Sequence, residues 1–138
     1  MATGRRDRFR SSARGARIEI HREHMTFDDV RPIALALPGV EEYTSWGTPA
    51  FRVRGKLLAR LREEGDILVL KTTFFAREEL IAWRPEVFFL LPHYEGYPSV
   101  LVRLPAVDPE TLRRLLVDAW KEMATKKMLA DFEAASRD

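Results

Sequence analysis

Between Ala50 and Lys71 lie three short runs of strand-forming residues, separated only by Gly55 and by the turn Glu63-Glu64-Gly65-Asp66. Turns this short leave no room for a crossover helix, so the runs predict an antiparallel meander rather than a parallel sheet. In the first two runs apolar and basic residues alternate, and alternation sets the faces. Phe51 and Val53 are expected on one face, with Arg52 and Arg54 on the other. On the returning run Leu57, Ala59 and Leu61 are expected to face inward, and Lys56, Arg60 and Arg62 outward. Five cations would then stand on two neighbouring strands, with Arg103 extending the patch. Such a patch suits phosphates. It is equally an ordinary solvated strand face, partly neutralised by Glu63, Glu64 and Asp66.

Helical signals flank the meander. Thr26-Phe27-Asp28-Asp29 places a capping hydroxyl and two carboxylates before the stripe Val30, Ile33, Ala34, Leu37, which Pro38-Gly39 ends. Pro32 is comfortable only in a first turn, so this helix is expected to begin nearer Asp28 or Asp29. A strand over Tyr43–Trp46 leads into the meander. Thr73 or a neighbour is expected to cap a second helix that runs through Trp83 and stops before Pro85. Strands are expected over Val87–Leu91 and Ser99–Leu104. In the last helix Asp108 caps, Pro109 takes the first position, and Leu112, Leu115, Leu116, Ala119, Trp120 and Met123 form the buried stripe. Among the aromatic residues Phe51, Phe88, Phe89 and Trp120 are expected in the core, whereas Trp46, beside a turn, fits either the core or a pocket rim.

These elements define one α+β domain over residues 25–127, an antiparallel sheet with helices packed on one face, followed by a frayed helical C-terminal tail over 128–138. Residues 1–24 read as an Arg-rich flexible extension. The alternative is that Met25 is the true start. Residues 1–25 hold seven arginines against three carboxylates, a net of +4, so the remaining 16 basic and 18 acidic side chains net −2. The alkaline balance belongs to the extension, and nucleic-acid binding by the domain must be argued from where its charges lie.

The chemistry available is narrow. Cysteine is absent, which removes disulfides, thiolate metal sites and cysteine nucleophiles together. No apolar run reaches the roughly 20 residues of a membrane span. A cytoplasmic protein is expected. No glycine-rich phosphate cradle occurs, His93 is the single histidine of the domain, and the adjacent acid pairs suit turns and helix starts better than shared-proton catalysis. A non-catalytic protein without cofactor or metal is expected. His21 and His24 could chelate a metal only if their stretch were helical. The loop Pro92-His93-Tyr94-Glu95-Gly96-Tyr97-Pro98 has restricted flanks and two large rings with hydroxyl handles. With Trp46 it forms a candidate ligand or partner region (Trp46, His93, Tyr94, Tyr97). The plain alternative is that the tyrosines cover the core.

Leu37-Pro38-Gly39-Val40-Glu41-Glu42, Ser45-Trp46-Gly47-Thr48-Pro49-Ala50-Phe51-Arg52-Val53 and Pro92-His93-Tyr94-Glu95-Gly96-Tyr97-Pro98 follow one another as in the MmcQ/YjbR-like family, as does the strand–helix unit from Leu104 through Trp120. Over about residues 26–124 the chain resembles that family. The resemblance implies a compact α+β fold similar to frataxin-like (CyaY-like) proteins and a proposed DNA-binding role through a double wing of β-hairpins. It supplies no catalytic residues. Three functions are therefore expected, in order: DNA binding through Arg52, Arg54, Lys56, Arg60 and Arg62; a small-molecule or protein-binding module at Trp46, His93, Tyr94 and Tyr97; and metal binding on acidic residues, suggested only by the frataxin-like fold.

Overall fold

A computed structural model describes residues 25–137; the expected Arg-rich extension, with its His21/His24 pair, lies outside them. The element order is α1 (Phe27–Leu35), β1 (Val40–Ser45), β2 (Thr48–Val53), β3 (Lys56–Leu61), β4 (Ile67–Lys71), α2 (Phe74–Trp83), β5 (Phe88–Phe89), a 3-10 turn (Pro92–Tyr94), β6 (Ser99–Arg103), a second 3-10 turn (Leu104–Ala106), α3 (Pro109–Met123) and α4 (Lys126–Ser136). Six strands form one antiparallel sheet in the order β1-β2-β3-β4-β6-β5.

Two hairpins of the meander close with two-residue turns whose central residues all have positive φ: Trp46 (55°) with Gly47 (82°), and Arg54 (55°) with Gly55 (78°). This is the type I′ geometry that matches strand twist, usually occupied by Asn-Gly or Asp-Gly. Here a tryptophan and an arginine take the first left-handed position.

One face of the sheet carries the core. Phe51, Leu58, Leu68, Leu70, Val100 and Val102 are fully buried beneath α1 and α3. Phe27 stacks on Phe51 with ring centroids 5.2 Å apart. Trp120 of α3 is fully buried, and its indole N–H donates to the Pro38 carbonyl at 2.7 Å. The same bond ties α3 to the turn after α1 and leaves no polar atom of the ring unsatisfied.

The caps of α2 and α3 follow expectation. Thr73 Oγ1 accepts from Ala76 N at 3.0 Å, and Asp108 Oδ2 from Thr111 N at 3.0 Å. Three details differ. α1 begins at Phe27, so Pro32 sits inside it; the Asp29 carboxylate accepts from the Thr26 N–H at 2.9 Å and holds the first turn, while Pro32 lies on the exposed side, where water can serve the carbonyl its ring leaves without a donor. β5 spans only Phe88–Phe89, because the chain turns at Leu91 into Pro92–Tyr94. The segment expected as a frayed helical tail is a regular helix, α4, capped by Thr125 Oγ1 accepting from Met128 N at 3.1 Å. Its Met128, Leu129 and Phe132 pack on the core, with the Phe132 ring 5.0 Å from Trp120. The packed unit therefore extends past residue 127.

A bulge corrects the expected faces of β3. Arg52 pairs with Leu57 and Phe51 with Ala59, so Leu58 is the extra residue. Leu58 and Ala59 both enter the core, whereas Leu57, expected to face inward, shares the open face with Arg52 and is 38% exposed. One inserted residue reverses the alternation on one side of it.

Candidate ligand site on the open face of the sheet

The loop from Pro92 to Pro98 lies against the helix-free face, and a residue of α2 fixes its backbone. Arg77 is 6% exposed. Its Nη1 donates to the carbonyls of Tyr97 (2.9 Å), Tyr94 (3.3 Å) and Ser99 (3.3 Å), and its Nη2 to that of Glu95 (3.2 Å). The Phe74 ring covers the guanidinium at 4.9 Å. No carboxylate pairs with Arg77 among the described residues; four carbonyl dipoles and an aromatic face take that place. Its Nε has no hydrogen-bond partner.

The loop so held borders an open concavity of about 570 Å³. Its rim carries Trp46 from the β1–β2 turn and His93, Tyr94 and Tyr97 from the loop. Strands β3 and β4 supply Lys56, Arg60 and Lys71, and Ser99 opens β6. No acidic side chain lines it. The Tyr94 hydroxyl is shared by two guanidiniums, at 3.4 Å from Arg60 Nη2 and 3.3 Å from Arg62 Nη1. Arg60 is further held by Thr48 Oγ1 at 3.1 Å. His93 packs edge-on against Tyr94, with centroids 4.9 Å apart. Trp46 is 89% exposed, so it is a rim residue rather than a core one, and the Ser99 hydroxyl is buried without a hydrogen-bond partner.

The expected five-cation face is divided among different tasks. Arg52 donates to Glu41 at 3.0 Å and lies 4.6 Å over the Tyr43 ring. Arg54, expected beside it, turns instead to the helical side and donates to the Met123 carbonyl at 3.2 Å; the left-handed turn residue no longer follows strand alternation. Arg62 forms a two-pronged pair with Glu64, both contacts at 3.0 Å. That bond, with smaller help from the Glu64 backbone, holds the Glu64 carboxyl below the usual carboxylate range. Lys56 and Arg60 remain without a carboxylate among the described residues, and both line the concavity. Arg103 lies 3.9 Å over the Phe89 ring, which is half-buried.

The structure thus joins two groups that sequence reasoning kept apart: Lys56 and Arg60 stand with Trp46, His93, Tyr94 and Tyr97. Lys71, Ser99 and Arg77 were missed. Alternation within β4 and β6 places Lys71 and Ser99 on the open face, as a register pair, so their signal was present once the pairing was known. A second groove of about 600 Å³ runs between α2 and α3, where Glu79, Glu110, Asp118 and Glu122 surround Leu80 and Trp83; Lys71, at its strand end, borders that groove too. Among the described residues no three His, Asp or Glu side chains come together as metal ligands. Both members of the Glu41-Glu42 pair are engaged by arginines: Arg31 Nε donates to Glu42 at 2.7 Å and Arg52 to Glu41. No described helix is long and apolar enough to cross a membrane.

Fold and site together define a small α+β domain with helices on one face of an antiparallel sheet and an aromatic, basic concavity on the other. The YjbR family model matches residues 35–122, and the chain belongs to that family. Uncharacterized proteins of Mycobacterium tuberculosis and Mycobacterium bovis are each 32% identical to it over 126 residues, which span 80% of this chain and 98% of theirs. The crystal structure of a Deinococcus radiodurans protein with domain DUF419 superposes with a TM-score of 0.65 at 24% identity, covering 81% of this chain and 91% of that one. That likeness shows the fold.

Proposed function

We propose that this YjbR-family protein is a non-catalytic binding module that takes an anionic ligand in the open-face concavity. The observation that carries this reading is the charge of the lining: Lys56, Arg60 and Lys71 face one space that no acidic side chain enters. Cations gathered without counterions raise the local potential and favour an anion, most of all where the walls exclude part of the water. The volume suits a small molecule. The non-catalytic part of the proposal rests on the lining as well. His93 contacts tyrosine rings, and the one buried hydroxyl among the described residues, that of Ser99, is hydrogen-bonded to no base.

Duplex DNA binding along the hairpins is the weaker reading. Of the five cations expected to carry it, Arg52 and Arg62 are paired with Glu41 and Glu64, and Arg54 is engaged with α3. What favours it is that Arg52 and Arg60 do stand on the open face of adjacent strands.

Calorimetric titration of the full chain with inorganic pyrophosphate tests the first reading. Binding is expected, and K56E and K71E should each weaken it by about tenfold or more while leaving the fold intact. Absence of pyrophosphate binding at low salt, with duplex DNA bound tightly and lost on R52E, would transfer the function to the hairpins.

A further inference from the structure

Trp46 has no structural reason to be a tryptophan. It occupies the first position of a type I′ turn at φ 55°, where Asn or Gly sits most easily, and it is 89% exposed. The left-handed conformation is unfavourable for a side chain of this kind, and little burial offsets it. Backbone strain of this sort, where the fold does not need it, points to a task at the surface.

Its position supplies the task. The indole borders the concavity together with Tyr94, Tyr97 and the cations Lys56, Arg60 and Lys71. In the wall of the same space the Ser99 hydroxyl is covered and unpaired, and an unanswered buried hydroxyl is destabilising until a partner reaches it. A ring surface, a cluster of cations and an unanswered hydroxyl meet in one space.

We infer that the ligand is a nucleoside monophosphate or a close analogue, a planar heteroaromatic ring joined to a phosphate. Its ring stacks on Trp46, its phosphate is held by Lys56, Arg60 and Lys71, and an oxygen of the ligand answers the Ser99 hydroxyl once that side chain rotates about χ1 toward the concavity. This rests on the anion-binding reading and adds the ring to it. Two lysines and a forked guanidinium match a dianionic phosphate better than a single carboxylate. Stacking on an exposed aromatic face adds affinity without demanding one particular base.

The test is calorimetry on the full chain with adenosine monophosphate, uridine monophosphate, ribose 5-phosphate and inorganic phosphate, repeated on W46N and S99A. Asn is at home in the left-handed turn, so W46N keeps the hairpin, and S99A removes an unpaired group, so neither variant should lose thermal stability. The nucleotides should bind about tenfold or more tightly than ribose 5-phosphate, W46N should abolish that difference, and S99A should weaken nucleotide binding severalfold. Nucleotides binding no better than ribose 5-phosphate would overturn the ring inference and leave the anion site standing. No binding of any phosphate would overturn both. Affinity that grows with the length of an oligothymidylate and falls steeply with salt would assign the face to a strand and overturn the small-ligand inference.

Discussion

Arg77 Nη1 and the Tyr97 carbonyl stand 2.9 Å apart, and this contact joins α2 to the loop that borders the concavity. The same guanidinium reaches three further carbonyls of that segment. A loop whose own side chains are largely exposed is thereby given a fixed backbone from below.

Replacing Arg77 by methionine should destabilise the protein by about 3 kcal/mol, because carbonyl groups turned inward lose a charged donor. Amide hydrogen exchange at residues 94–99 should quicken more than in β2 and β3. R77K should recover only part of the loss, since an ammonium cannot reproduce the fork. Equal quickening throughout the sheet would show that the contact supports the fold in general and not the loop.

Arg54 and Arg52 should behave differently although only Val53 separates them. Arg54 donates to the last turn of α3, where a cation also opposes the helix dipole, so R54A should cost about 1 kcal/mol in urea unfolding. Arg52 is in a surface pair with Glu41, and R52A should change stability by less than about 0.5 kcal/mol. Equal losses would mean that Arg54 does not hold α3.

Gly39 has φ +77°, and a Cβ placed there would come within 2.6 Å of Met128 Cε in α4. G39A should lower stability by about 1–2 kcal/mol through the backbone alone. Because Met128 is flexible, adding M128A to G39A should relieve little of that loss. A G39A protein as stable as wild type in thermal unfolding would contradict the left-handed turn.

Asp108 gives a pH dependence. Its hydrogen bonds to the Thr111 hydroxyl and backbone N–H hold its carboxyl below the usual aspartate range. A carboxylate depressed in the folded state adds stability above its unfolded pKa and loses it as pH falls through the folded value. D108A should therefore cost about 1 kcal/mol at neutral pH. The difference from wild type should shrink in acid, below the usual aspartate range. A gap that stays constant into acid would contradict the charged cap.

The parts of the fold that were legible in the sequence are those set by local chemistry. Gly55 announced a tight hairpin, and Thr73, Asp108 and Pro109 announced helix starts, because each acts through its own neighbours. The bulge at Leu58 was not legible, since it exists only in the pairing of β2 with β3. Arg77 drew no reading from the sequence; its burial is created by a loop about twenty residues away. Arg54 was misplaced because its turn conformation breaks the alternation used to place it. Phe132 gave little signal, as its partner Trp120 lies in another helix. The candidate site was half visible. Its aromatic and basic residues were found as two separate groups, and only the folded sheet makes them one.

The most direct measurement is an NMR titration of the full chain with inorganic pyrophosphate. If the open-face concavity is the binding site, the largest shifts fall on the Trp46 indole N–H and on the amides of Lys71, Tyr97 and Ser99, with Arg52 and the α2–α3 groove little affected. Shifts confined to Arg52, Arg54 and their hairpin, or to Glu79 and Asp118, would contradict the account.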